Sequence, residues 1–280
     1  MLSAFTDILT CPVCKNGVAV EGGTLCCLGG KHRFDLAREG YVNLAVGHAP
    51  GGDSKQAIAA RTSFLQNGYY APAAAALEQA VQDYLPAGAA LIDAGCGQGY
   101  YDGRLAAKGF RILGVDLSKF GCARAAKDAG MQGLDNAAYA VASVYTLPVK
   151  DACADGVVNV FAPCAEQEYG RVLKDGGYLF LLGAGPQHLM GLKRAMYETT
   201  YENAERADLP TSLTLVQTRR VRFEITVEGQ SDIEALFSMT PYYWRTSSAD
   251  KEKLLHHEAL QTEVDVWISV YRKEEAQNEA

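Results

Sequence analysis

The sequence has no apolar run longer than a strand, no excess of positive charge and, outside one short segment, no clustering of cysteine. The first absence leaves nothing that would cross a membrane as a helix, since such a helix needs about 20 consecutive apolar residues. Met1 to Asp7 also lacks the basic and apolar regions of a secretory leader, so the expectation is a cytoplasmic protein with no membrane partner. The second absence argues against a nucleic-acid binder with a basic body, because 26 Lys and Arg face 33 Asp and Glu, a net charge of -7. That balance is uneven along the chain. Residues 1 to 70 hold three Lys and three Arg against three Asp and two Glu, and Arg219-Arg-Val-Arg222 is a second basic cluster. Four of the eight cysteines fall within residues 11 to 27, and in a reducing compartment they read as thiols or metal ligands instead of disulfides. What is present is 280 residues with 48% hydrophobic content, enough for one large α/β domain and a small appendage.

The chain is organised around Leu91-Ile-Asp-Ala-Gly-Cys-Gly-Gln-Gly-Tyr100, an apolar strand that ends in an acid and breaks into glycines at 95, 97 and 99. Such a turn lets a ligand approach the backbone at the carboxyl ends of the strands of a doubly wound sheet. A dinucleotide fingerprint would put its third glycine one residue later, where this chain has Tyr100. Phe110 to Asp116 reads as the next strand, again closed by an acid. Asp-x-Gly-x-Gly-x-Gly with that partner resembles motif I of the class I methyltransferases. The resemblance implies a Rossmann-like, seven-stranded fold binding S-adenosylmethionine through Asp93, Gly95, Gly97, Gln98 and Gly99, with Asp116 on the ribose hydroxyls.

The rest of the core alternates as βαβ units should. Ser118 caps a helix through Gly130, and Ala138 to Ala142 is a third strand followed by Ser143. By their position in a class I domain, Ala142 and Ser143 flank the adenine. Asp155 to Phe161 is a fourth strand; it runs into Ala162-Pro-Cys164, where many exocyclic-amine methyltransferases carry an Asn or Asp-Pro-Pro-aromatic motif that this chain lacks. Tyr178 to Leu182 is a fifth strand. Residues 200 to 247 read as an insertion containing a strand at Arg219 to Val227 and Met239-Thr-Pro-Tyr-Tyr-Trp244, whose aromatics suit either stacking on a splayed base or a packed lid, and Val264 to Tyr271 as a last, partly exposed strand.

Ahead of this core stand Cys11-Pro-Val-Cys14, then Cys27 and His32, a spacing that suits a tetrahedral structural zinc site made from two turns. Cys26 and Cys27 are adjacent, and Cys27 is preferred because it stands nearer the Gly29-Gly30 turn leading to His32. With Phe34-Asp-Leu-Ala-Arg-Glu-Gly-Tyr-Val-Asn-Leu44, Gly52-Asp-Ser54 and Ala60-Arg-Thr-Ser-Phe-Leu-Gln-Asn-Gly-Tyr-Tyr70, these motifs resemble the RlmA family. The resemblance implies a bacterial methyltransferase acting on guanine N1 in a hairpin loop of 23S ribosomal RNA. It divides the chain into a zinc-binding RNA-recognition module, 1–45, and a methyltransferase domain, 46–280. Pro186-Gln-His188 matches a family segment whose histidine contacts the cofactor, and Tyr70 and His188 are implied to close over its methionine half. Whether two copies pair to build the RNA cleft is left open. No acid or histidine identifies itself as the base for the guanine N1 proton. Two other functions would share this core: a methyltransferase of small molecules, and a non-catalytic zinc-bearing RNA binder.

Overall fold

The computed structural model describes residues 1–47, 51–204, 209–254 and 256–275. A single 3-10 turn, Leu2–Phe5, buries Leu2 and Phe5. Strands β1 (Val18–Glu21), β2 (Thr24–Cys27) and β3 (Arg33–Asp35) then form an antiparallel sheet in that order. Gly22 and Gly23 join β1 to β2 with φ of 54° and 83°, the pair of positive angles that matches strand twist in a two-residue hairpin. The two-residue β4 (Val42–Asn43) leaves this small sheet.

Helix α1 (Lys55–Gln66) starts at Ser54, whose hydroxyl accepts from the Ala57 N–H, and stops before Gly68, where φ is 82°. Helix α2 (Ala71–Tyr84) carries Pro72 in its first turn, where a missing N–H costs nothing. The βα alternation follows with β5 (Ala90–Ala94), α3 (Tyr100–Ala107), β6 (Arg111–Asp116), α4 (Lys119–Met131), β7 (Ala137–Val141) and β8 (Ala154–Val160). Then come α5 (Glu166–Val172), β9 (Leu173–Ala184), α6 (Met190–Met196), β10 (Thr214–Glu228), α7 (Gln230–Ser238), α8 (Ser248–Leu254) and β11 (Ala259–Arg272).

Among the described residues the main sheet has the order β10-β11-β9-β8-β5-β6-β7-β4. The seven strands expected of the core are β5 to β11, parallel except that β11 runs antiparallel to both neighbours. The eighth is β4, supplied by the N-terminal segment and paired in parallel with β7. Two expectations need correction. The strand inside residues 200–247 is no insertion, because β10 pairs with β11 from Thr214–Arg272 to Glu228–Ala259 and forms an edge of the main sheet. Its outer position leaves most side chains exposed, which is why its sequence reads as polar and detached. Consequently β11 is interior, with Val264, Val266, Ile268 and Val270 all buried.

Alternation along the strands splits the core into two layers. Leu91, Ile112, Tyr139 and Phe180 face α2, α3 and α4, whereas Ile92, Leu113, Ala140 and Leu181 face the other way. On that second face no helix joins β7 to β8. The N-terminal segment fills the gap: Leu2, Phe5, Ile8 and Leu9 pack there, Leu9 bridges to Val149, and the Thr10 N–H donates to the Pro148 carbonyl at 2.8 Å. The zinc-bearing segment is thus built into the sheet and does not hang from it. No helix among the described residues is long and apolar enough to cross a membrane.

Candidate active site and metal centre

Order β6-β5-β8 puts the topological switch point between β5 and β8, where α/β sheets open a crevice at the strands' carboxyl ends. A cleft of about 860 Å³ lies there. Tyr70, Asp93, Gly95, Gly97, Gln98, Asp116, Ser143 and His188, eight of the ten expected cofactor residues, line it. The other two do not. Gly99 caps α3 and is pressed against Ala125 of α4, so its hydrogen serves helix packing; Ala142 is buried in the second layer, its N–H donating to the Asp116 carbonyl at 3.1 Å.

The glycines at the floor differ in purpose. At Gly97, φ is 53° and an added Cβ would meet nothing nearer than the Arg61 guanidinium at 3.5 Å, so the backbone stays open to a ligand. At Gly95 a Cβ would stand 2.5 Å from Ala162 Cβ, so its absence lets the loop after β8 lie directly on the loop after β5. Asp116 accepts from the Gly97 N–H at 3.0 Å and the Ser118 N–H at 2.6 Å, which holds its carboxylate over the same turn. Burial raises its pKa, and those two N–H groups oppose the rise.

Asp93 is 2% exposed, and its Oδ1 has no hydrogen-bond partner among the described residues. Burial, with the Asp116 charge acting the same way, pushes it up to about 6. Behind it Asp102, fully buried in the first turn of α3, is raised well above the usual carboxylate range by burial and then by Asp93. An orphaned acid at the floor of an open glycine loop, with a second acid closing the next strand, fits a cofactor that carries ribose hydroxyls and an ammonium group.

His188 and Tyr70 meet across the cleft, His188 Nε2 lying 3.2 Å from Tyr70 Oη. The Asp265 N–H donates to His188 Nδ1 at 3.2 Å, so a neutral ring must carry its proton on Nε2 and donate to the tyrosine. Burial keeps the ring neutral by lowering its pKa to about 4. The Tyr70 hydroxyl hydrogen is therefore left to donate elsewhere, and His188 has no free lone pair with which to act as a base. β10 supports this arrangement from outside: Arg220 forms a two-pronged pair with the buried Asp265 at 2.7 and 2.9 Å. Burial alone would raise Asp265, but Arg220, the Gln187 N–H and the Arg222 charge together hold the carboxylate below its usual range.

Sequence reasoning missed Arg61, which pairs with Asp53 at 2.6 Å on the cleft wall, and Phe161, whereas the expected aromatic stretch from Met239 to Trp244 does border the cleft. Position after the fourth strand was the available signal for Phe161.

The Cys and His cluster forms at the start of the chain. One ligand atom from each of Cys11, Cys14, Cys27 and His32 lies within 4.8 Å of all the others. Cys11 Sγ is 3.4 Å from His32 Nδ1, and Cys14 Sγ is 3.4 Å from Cys27 Sγ. These separations fit the edges of a tetrahedron with metal bonds of about 2.0–2.3 Å, and the thiolate and imidazole set suits zinc. Local turns set the ligands: the Lys15 N–H closes on the Cys11 carbonyl, and the Gly29 N–H donates to Cys27 Sγ at 3.3 Å. The Asn16 N–H, and then Cys27, pull the exposed Cys14 thiol down to about 6. Cys26 stays outside the cluster and turns its Sγ to the Thr24 carbonyl.

Residues 9–46 match the family model described as RlmA, N-terminal, and residues 92–181 match that of a methyltransferase domain. Over an aligned length of 272 residues the chain is 33% identical to a provisionally named 23S rRNA (guanine-N(1)-)-methyltransferase of Micromonospora griseorubida, covering 86% of this chain and 88% of the relative. It is 35% identical over 194 residues to the 23S rRNA (guanine(748)-N(1))-methyltransferase of Streptomyces fradiae, covering 67% of each. The solved structure of the YcgJ protein of Bacillus subtilis superposes with a TM-score of 0.50 at 14% identity, covering 71% of this chain and 98% of that one, a likeness of fold alone.

Proposed function

The chain belongs to the RlmA family of 23S rRNA (guanine-N1)-methyltransferases, and from that premise we propose that it methylates N1 of a guanine in a hairpin loop of 23S ribosomal RNA. Its cofactors are S-adenosylmethionine for the methyltransferase domain and zinc for the ribbon. The observation that carries the reading is the cleft at the β5/β8 switch point, in which the glycine turn, Asp93, Asp116, Tyr70 and His188 converge.

The bound cofactor supplies an activated methyl group, so the protein's work is chiefly to hold donor and acceptor in line. Gly97 leaves room for close approach, Asp116 takes the ribose hydroxyls, and Asp93 offers its unpaired Oδ1 to the ammonium. Gln98 and Ser143 border the same space, and Ser143 flanks the adenine. Tyr70, steadied by the His188 Nε2–H, turns its own hydroxyl hydrogen to the methionine half. Guanine N1 must lose a proton to become nucleophilic. With His188, Tyr70, Asp93 and Asp116 so committed, the acceptor left among the carboxylates that line the cleft is Asp53, or else solvent. A paired guanine hides N1 in its Watson-Crick edge, so the substrate base is an unstacked one.

Residues 1–45 are assigned to RNA recognition, with Lys31, Arg33 and Arg38 exposed on the ribbon as the phosphate-facing cations of an otherwise acidic chain. A homodimer belongs to the same proposal, supported by β10, whose outer edge exposes Leu215 and Val216. The location is cytoplasmic, where ribosomal RNA is processed. Incubation with labelled S-adenosylmethionine and unmodified large-subunit ribosomal RNA should label one loop guanine at N1. Label on small molecules only, or none on RNA, would overturn the assignment.

A further inference from the structure

Phe161 closes β8 with φ of 51°, and of the described non-glycine residues in left-handed backbone it alone is aromatic. A bulky side chain adopts that conformation only when its surroundings impose it, and such residues gather at functional sites. Glycine would end the strand here without strain, so what the chain retains is the ring. The ring is 45% exposed and forms part of the cleft wall. One face lies on the His188 imidazole, with centroids 5.4 Å apart and planes 27° apart, and Tyr70 meets it edge-on at 6.4 Å. The exposed remainder of the side chain borders the cleft.

The support beneath is rigid. Ala162 sits against Gly95, the Phe161 N–H donates to the Leu182 carbonyl at 3.0 Å, and Asn159 Nδ2 donates to the Pro163 carbonyl at 2.9 Å. His188 in turn is held at both ring nitrogens. A second ring lines the same cleft: Trp244, 85% exposed, backed edge-on by Tyr243 at 4.9 Å. Tyr243 is itself fixed by Phe237 at 5.3 Å and by the Lys251 ammonium 4.6 Å from its centre. Exposed aromatic surface normally costs free energy, and two such rings held from behind in one cleft suit a flat, apolar-faced ligand.

We infer that Phe161 and Trp244 form the receiving subsite for the target base, an unpaired purine that leaves its loop and stacks on the exposed part of the Phe161 ring with Trp244 at the mouth. This rests on the guanine-N1 reading above and adds which side chains take the base. Every base has a π-face, so the stack positions the purine without selecting it.

The test compares equilibrium binding of two RNA hairpins that differ at one nucleotide, one with the loop guanine and one abasic at that place. Loss of the base should weaken binding to the unaltered protein roughly tenfold or more. In Phe161→Leu, which keeps the backbone strain and loses the π-face, that difference should shrink to about threefold or less, and Phe161→Tyr should restore it. Trp244→Ala should shrink it in part. Affinity for S-adenosylmethionine, read by calorimetry, should change by less than about twofold in all three, since stacking on the base is separate from cofactor contacts. If Phe161→Leu keeps the full abasic difference, the subsite is wrong. If cofactor affinity falls in step with RNA affinity, Phe161 is part of the scaffold and the inference fails as well. If the unaltered protein methylates no guanine in 23S ribosomal RNA, the functional reading fails and the subsite falls with it.

Discussion

The metal centre and the cofactor cleft are built on opposite principles. Four metal ligands come from the stretch between Cys11 and His32, and each is aimed by a turn within a few residues of itself. The cleft draws on residues from Gly52 to Trp244, and its parts meet only because β5 and β8 are neighbours in the sheet. The charges differ too. At the metal centre the one exposed thiol of the set, Cys14, is pulled toward the anion that a cation needs. In the cleft, burial pushes Asp93 and His188 toward neutrality. A locally encoded site therefore stands or falls with its ligand, whereas an assembled site depends on the sheet beneath it.

The sharpest way to break that contrast is to remove the metal. Metal binding supplies on the order of 10 kcal/mol in comparable small zinc modules. A chelator or Cys11→Ser should abolish zinc content and hydrogen-exchange protection across the ribbon. Because Leu2, Phe5, Ile8 and Leu9 cover one face of the main sheet, protection in β7 should fall as well, and the melting temperature should drop by roughly 10 °C or more. Loss confined to residues 1–47, with the sheet unaffected, would show the two regions to be independent after all.

A smaller effect is expected from the two buried titrating groups of the cleft, which oppose each other with pH. Asp93 is raised from 3.8 to about 6, so its contribution to stability is full below the unfolded value and is lost as pH rises through about 6. His188 is lowered from 6.5 to about 4, so its contribution is present above the unfolded value and is lost as pH falls through about 4. Relative to the parent, Asp93→Asn should gain stability from pH 4 to pH 7, and His188→Gln should gain it from pH 7 to pH 4, each by on the order of 1–3 kcal/mol. Denaturant midpoints across that range, without cofactor, read both slopes. Slopes of the same sign in the two variants would contradict the burial argument.

Next in size is cofactor affinity. Asp116→Ala removes the acceptor for the ribose and frees two backbone N–H groups of the loop, and Gly97→Val fills the open backbone; each should weaken binding at least about tenfold. Calorimetry on the folded variants checks this, and unchanged affinity in both would move the site elsewhere. The smallest effect is assigned to Tyr70→Phe, which keeps the ring and loses one hydroxyl. Cofactor affinity should fall by about two- to tenfold, near 0.5–1.5 kcal/mol. No change at all would mean that the hydroxyl serves only His188.

Much of both sites is readable along the chain. Asp93, Gly95, Gly97, Gln98 and Asp116 declare themselves because a strand, a glycine turn and an acid are local patterns, and the ligand spacing from Cys11 to His32 is equally local. The Gly29-Gly30 turn gave only a preference for Cys27 over Cys26, because adjacent residues of a strand face opposite ways and the fold sets which one meets the other three ligand atoms. β10 was misjudged for a physical reason: an edge strand buries few side chains, so Arg219 to Arg222 look like a solvated excursion when they line the margin of the sheet. The supporting role of Arg220, reaching His188 through Asp265, has no sequence signature, since the three residues are far apart in the chain.

By itself the sequence determined the elements and their chemistry: period-two and helical patterning, caps at Ser54 and Ser118, the glycine turn, and a zinc-competent set of thiols and imidazole. Tertiary structure alone decided that the N-terminal segment takes the place of a helix between β7 and β8, that Gly99 and Ala142 face away from the cleft, and that His188 carries its proton on Nε2. The physical reason is that propensity, capping and ligand spacing act over a few residues. Burial, tautomer and the exposed part of an aromatic ring are fixed by neighbours that only strand order brings together.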